Sequence, residues 1–174
     1  SALRARLKRA GVPSAAYRVS TIDGFAMRLI ARFPGRSGHN PAILELQRPN
    51  TVYPAIRDAA RQLLVAGHLR QPLSATYARL LVDEYQDCNL VQHAIVTGLA
   101  ETLPTCVLGD PMQAIFGFGA NRLVHWDNEV QVAFPGAGQL GTPWRWRLAG
   151  ADNLGNWLLG VRQQLQAGQP VDLR

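Results

Sequence analysis

The stretch LLVDEYQD restricts the fold more than any other part of this 174-residue chain. Leu80, Leu81 and Val82 are apolar, and Asp83, Glu84 and Asp87 follow at once. Carboxylates this close repel one another and resist desolvation, so the apolar run must end where water or a cation begins. A second short apolar run, Cys106–Leu108, ends in the same way on Gly109 and Asp110. The segment between them, Leu90 to Leu99, is helix-like, so the spacing predicts strand, helix, strand. Such a unit forms a parallel pair, buried on both faces, and sites in parallel sheets gather at the carboxyl ends of the strands. Asp83 and Glu84 are therefore expected on one edge with Gly109 and Asp110.

The rest of the chain reads mainly as helix. Residues 2–10 form a short basic helix closed by Gly11 and Pro13, and Tyr17 to Ser20 read as a brief strand. Thr21 caps a helix whose Phe25, Ala26, Leu29, Ile30 and Phe33 fall at helical spacing, ended by Pro34 and Gly35. Residues 34–54 read as an irregular insertion with one apolar segment at Ala42–Leu46, and an amphipathic helix runs from Pro54 to about His68. Near the C-terminus, Leu154, Trp157, Leu158 and Val161 line one face of a further helix. In WRWR, Trp144 to Arg147, alternation suits a strand with tryptophans on one side and arginines on the other.

A hydrophobic content of 47% is enough for a real core, and no apolar run approaches the roughly 18 residues that cross a bilayer. Cys88 and Cys106 have no metal-ligand or redox spacing and read as small core residues of a reduced, cytoplasmic protein. The formal charge of +6, almost all arginine, suits a polyanionic partner and equally suits a solvated surface.

Magnesium prefers oxygen ligands and takes only one or two protein carboxylates when phosphates complete its shell, which makes Asp83 the metal candidate. Glu84 beside it could polarise an attacking water. Asp87 reads as a cap of the following helix or a partner for an arginine. In VLGDPMQAIFGF, Gln113 follows Asp110 by three residues, where a tight-loop amide could meet both a phosphate and that water.

Together these segments resemble a known family. LLVDEYQDCNLVQ is similar to motif II of the UvrD/Rep-type superfamily 1 DNA helicases, and VLGDPMQAIFGF to their motif III. VSTIDGFAMRLI resembles the T-x-H-x-F motif, ALRARL the tail of the motif before it, and LGTPWRWR the pattern L-x-x-N-Y-R of motif IV. The resemblance spans most of residues 2–147 in the family's order. It implies a truncated α/β, RecA-like fold of the P-loop NTPase type: residues 1–33 and 75–174 as a partial ATPase domain, and 34–74 as a short helical insertion. It also implies ATP and Mg2+ as cofactors, single-stranded and duplex DNA as partners, and a nucleoid-associated location.

By the same resemblance Asp83 binds the metal, Glu84 activates water, and Gln113 senses the γ-phosphate. Arg145 steadies charge on that phosphate, with Arg147 as the fallback because Pro143 stands where the motif has asparagine. Phe116 and Phe118 occupy the positions of DNA-facing aromatics, Phe118 as the stacker and Phe116 nearer the core. Thr21 and Phe25 flank the strand, Thr21 through a phosphate hydrogen bond. The arginine expected after the aromatic is missing from Phe118-Gly119-Ala120-Asn121, and Asp23 replaces the usual histidine.

The phosphate-binding loop G-x-x-x-x-G-K-[ST] does not occur in the 174 residues, and Lys8, the sole lysine, has no glycine-rich turn before it. With Ser1 in first position, this leads to the expectation of a middle fragment. A Walker A segment would precede it, a second RecA-like domain would follow, and the piece alone would be inactive. Three further readings stay open: a non-catalytic single-stranded DNA-binding module, a helicase–nuclease component, and a metal-dependent nuclease built on Asp83, Glu84 and Asp87.

Overall fold

The structure, a computed structural model, describes residues 2–37, 49–115 and 122–171. It falls into two compact units, Ser1–Pro135 and Gly136–Arg174. The first is mostly helical around a small sheet. In chain order it contains α1 (Ala2–Arg9), α2 (Ile22–Arg32), α3 (Pro34–Ser37), α4 (Pro49–Val65), α5 (Arg70–Thr76), β1 (Leu80–Val82), α6 (Leu90–Ala100) and β2 (Thr105–Val107). A π-helical turn, Trp126–Val130, then leads into the single turn α7 (Gln131–Ala133).

The expected strand–helix–strand unit is present. β1 and β2 pair in parallel, with Leu80 opposite Thr105, Leu81 opposite Cys106 and Val82 opposite Val107. Hydrogen bonds continue past the strand ends: the Leu108 amide donates to the Val82 carbonyl (2.8 Å), and the Tyr85 amide to the Leu108 carbonyl (2.9 Å). The acidic turn and the glycine turn are thus held side by side.

α6 separates two apolar cores. On one side, Ile95 and Leu99 pack with Ala26, Leu29 and Ile30 of α2 and with Ile56, Ala60, Leu63 and Leu64 of α4. On the other, Val96 packs with Val82, Tyr85, Cys88, Val124 and Val130 beneath the sheet. The N-terminus of α6 is closed by a capping box, in which the Gln92 amide donates to Asn89 Oδ1 (2.9 Å) and the Asn89 amide to Gln92 Oε1 (3.1 Å). Asn89, rather than Asp87, is therefore the cap. Asp87 has one buried carboxylate oxygen without a hydrogen-bond partner among the described residues.

A charged contact joins α2 to α4. Arg57 donates to Asp23 through Nε (2.6 Å) and a terminal nitrogen (2.8 Å), and Gln92 adds a third donor (3.3 Å). The Arg57 guanidinium also lies 5.9 Å from the centre of the Tyr53 ring. The hydrogen bond from Arg57 to Asp23 holds the guanidinium pKa above its ordinary value, against the opposing effect of burial.

Several expectations are corrected. Tyr17–Ser20 forms no strand. α4 starts at Pro49, so Pro54 lies inside the helix instead of opening it. Proline is accepted in a first helical turn, and Pro49 takes that place while Pro54 forgoes one backbone bond. Among the described residues the sheet is covered on one face only: Leu81 is 71% exposed, and Cys106, expected in the core, is exposed opposite it. Cys88 is buried, and desolvation with the Asp87 charge pushes its thiol up to about 12, leaving it protonated and unreactive. The Ala42–Leu46 segment lies outside the described residues.

In the second unit, α8 (Trp144–Leu148) is followed by α9 (Asp152–Gln166). WRWR is thus helical, not a strand. Gly155 explains the close approach of the two helices, because a Cβ there would lie 2.8 Å from the Trp146 Cβ. Leu154 and Trp157, on one face of α9, are about half exposed.

Two predictions follow from these contacts. Arg57→Met strands a partly buried carboxylate, so it is expected to lower unfolding free energy by about 1.5–3 kcal/mol. The exposed Asp58–Arg61 pair is worth less, and Asp58→Asn is expected to cost at most about 0.5 kcal/mol; urea unfolding compares the two.

His93 provides the second. Its Nδ1 meets the Tyr85 hydroxyl at 2.8 Å, and burial, partly opposed by the Glu129 charge, holds its pKa below the ordinary 6.5. The unfolded chain then takes up a proton before the folded one as pH falls. The contribution of His93 is full above about pH 6.5 and is lost as pH drops through the lower folded value. The urea midpoint is expected to fall across that range, with a shallower fall in His93→Gln.

Candidate nucleotide-binding edge

β1 delivers Asp83 and Glu84 to solvent, and both side chains are exposed. The Asp83 carboxylate accepts the Glu84 amide (3.1 Å), an arrangement that bends the chain immediately after the strand. Glu84 has φ 53° and ψ 43°, the left-handed region, and is the one non-glycine residue at positive φ among the described residues. Such a backbone costs on the order of 1–3 kcal/mol and persists only where its surroundings hold it.

Those surroundings include Gln86, a residue only 3% exposed. Its Nε2 donates to Glu84 Oε2 (2.8 Å), and its Oε1 accepts the Asp110 amide (2.9 Å). Across the sheet, Asp110 Oδ1 accepts the Met112 amide (3.0 Å), and Oδ2 accepts Gln113 Nε2 (2.8 Å). Asp110 therefore caps the turn and fixes the Gln113 amide within it. Gly109 permits this closeness, because a Cβ there would lie 2.8 Å from the Trp126 ring and 2.9 Å from Gln86 Oε1.

The candidate residues divide into groups. Asp83, Glu84 and Gln113 come to one edge through the strand pairing. Thr21 is exposed and caps α2 by accepting the Gly24 amide (3.0 Å), while Phe25 packs edge-on against Tyr77 with 6.2 Å between ring centres. Asp23, which stands where the motif has histidine, is neutralised by Arg57. In the second unit Arg147 pairs with Asp152 (3.3 Å) and lies over the Trp144 ring, whereas Arg145 is exposed with no ion pair among the described residues. Phe116 and Phe118 lie outside the described residues.

No three His, Cys, Asp or Glu residues gather to hold a metal among the described residues. A single strand-end carboxylate suits magnesium completed by phosphate and water, and it does not supply the ligands of a two-metal centre. Sequence reasoning missed Gln86 and Arg57. The capping box was legible in Asn89-Leu90-Val91-Gln92, but nothing local marks Gln86 as the bridge between the loops.

Gly109→Ala is expected to destabilise the chain by about 1–3 kcal/mol through overpacking. Its tryptophan emission should shift as Trp126 is displaced, which fluorescence-monitored unfolding would detect; unchanged emission and midpoint would contradict the close approach.

Comparison with known proteins agrees with the motifs. Residues 56–125, less than half of the chain, match the family model of the UvrD/REP helicase N-terminal domain. Over 82 residues the chain is 32% identical to an ATP-dependent helicase/nuclease subunit of Oenococcus oeni, an overlap covering 47% of this chain and 7% of that protein. No solved structure matches. The matched residues, 56–125, carry both the acidic strand end and the glutamine turn, so the similarity to UvrD-type helicases falls on the candidate edge itself.

Proposed function

We propose that the chain contributes the magnesium- and water-handling edge of an ATP-dependent DNA helicase. The observation that carries this reading is the shared edge: Asp83 and Glu84 end one strand, and Gln113 sits in a turn bonded to Asp110 after its parallel neighbour. In this reading residues 1–33 and 75–174 belong to a RecA-like ATPase domain, and 34–74 form its helical insertion. A cytoplasmic, nucleoid-associated setting goes with it. No helix among the described residues is long and apolar enough to cross a membrane.

Magnesium–ATP would supply the phosphoryl bond to be broken. Asp83 would hold the cation with one carboxylate. Glu84 would orient water and accept its proton, and Gln113 would contact the γ-phosphate. Arg145, exposed and without an ion pair among the described residues, suits the charge-steadying role better than Arg147, which Asp152 engages. A parallel pair is ordinarily covered on both faces, so the bare face at Leu81, Cys106 and Leu108 suits a site completed by further chain bearing a phosphate-binding loop. DNA would be met by Thr21, Phe25, Phe116 and Phe118, with stacking worth roughly 1–3 kcal/mol per base.

In a longer chain that supplies the loop, Glu84→Gln is expected to lower DNA-stimulated ATP hydrolysis by about 10²–10⁴-fold while nucleotide binding is retained. The 174 residues alone are expected not to turn over ATP. Hydrolysis by the purified chain, stimulated by DNA and abolished by Glu84→Gln, would contradict this assignment of parts.

A further inference from the structure

We infer that Gln86 is a positioning residue that ties the Glu84 carboxylate to the Asp110–Gln113 turn, so that the two loops respond as one unit. Its purpose rests on the nucleotide-site reading; its geometry does not.

A continuous set of contacts runs from the strand-end acid to the loop glutamine. Glu84 Oε2 accepts from Gln86 Nε2 (2.8 Å), Gln86 Oε1 accepts the Asp110 amide (2.9 Å), and Asp110 Oδ2 accepts from Gln113 Nε2 (2.8 Å). Every step is short. The middle member is buried, so water competes poorly for it and losing either bond leaves a desolvated polar group.

The residue type matters at position 86. A primary amide donates to a carboxylate on one side and accepts a backbone N–H on the other. Glutamate would accept the N–H but repel Glu84, leucine would do neither, and asparagine is one methylene shorter. A buried amide serving only as filler would need no particular partner at Glu84. Here it grips an exposed carboxylate whose own backbone sits in the left-handed region. Gly109 is the second sign of design, since any side chain there would push Gln86 Oε1 away from the turn. A displacement of Gln113, such as a bound phosphate would cause, is therefore carried through Asp110 and Gln86 to the water-orienting acid.

The test uses the isotopically labelled 174-residue chain without nucleotide. It reads hydrogen exchange at the Asp110 amide and the NMR shifts of the Gln113 side-chain amide. With Gln86 present, Glu84→Ala is expected to speed Asp110 exchange several-fold and to move the Gln113 signals. In Gln86→Leu, Asp110 exchange is already about tenfold faster, the equivalent of one lost hydrogen bond, and adding Glu84→Ala changes neither signal. Gln86→Glu separates the two contacts and serves if the leucine variant does not fold: Asp110 protection is kept and the dependence on Glu84 is lost. The inference is overturned if Glu84→Ala leaves Gln113 unmoved in the Gln86 chain, or if the same response survives without Gln86. A purely structural Gln86 would alter Asp110 protection while Gln113 ignored Glu84. Because no nucleotide is added, failure here does not touch the nucleotide reading, and failed nucleotide binding does not touch this coupling.

Discussion

The parallel pairing of β1 with β2 is the contact on which the candidate site depends. Three residue pairs are few for a sheet, yet the Leu108–Val82 and Tyr85–Leu108 bonds carry the alignment past the strands and into the turns. A slip of one residue would reverse the faces of Leu81 and Val82 and separate the acids from the glutamine turn. The register is fixed from below: Val82 and Tyr85 are buried with Val96, and Val107 packs against the same cluster.

The helices brace that arrangement. α6 presents Ile95 and Leu99 to one core and Val96 to the other, so any movement of the sheet is felt by α2 and α4. The Asp23–Arg57 pair and the Gln92 side chain join the N-terminus of α6 to both of those helices. Asp23 therefore has a structural role in the contact between α2 and α4, where the motif pattern has a histidine. Its charge is engaged by Arg57, which removes the repulsion that a lone aspartate would exert on a nearby phosphate.

Periodic features were legible in the sequence, and long-range partners were not. Apolar runs ending on acids or glycine placed both strands and their shared edge, and helical spacing placed α2 and α6. Thr21 was recognisable as a cap because capping is local. Proline misled, since Pro54 has the look of a helix start while Pro49 already provides one. WRWR misled because strict alternation over four residues fits a strand, whereas Trp146 packs a helical turn against Gly155. Cys106 sits in an apolar strand, which suggests a core position, but one face of that strand is bare among the described residues. Gln86 was unreadable as a bridge: its partners are two residues and twenty-four residues away, and only the strand pairing brings them together.

If the acidic turn and the glutamine turn form one cation- and phosphate-facing edge, a cation held at Asp83 must be felt by both. Paramagnetic broadening by Mn2+, used in place of magnesium on the labelled chain, reads this without nucleotide or DNA. Amide signals from residues 83–87 and 109–113 are expected to broaden together at low Mn2+, and both effects are expected to vanish in Asp83→Asn. Broadening confined to the acidic turn, or equal at exposed acids elsewhere such as Asp58 and Asp152, would contradict a shared edge.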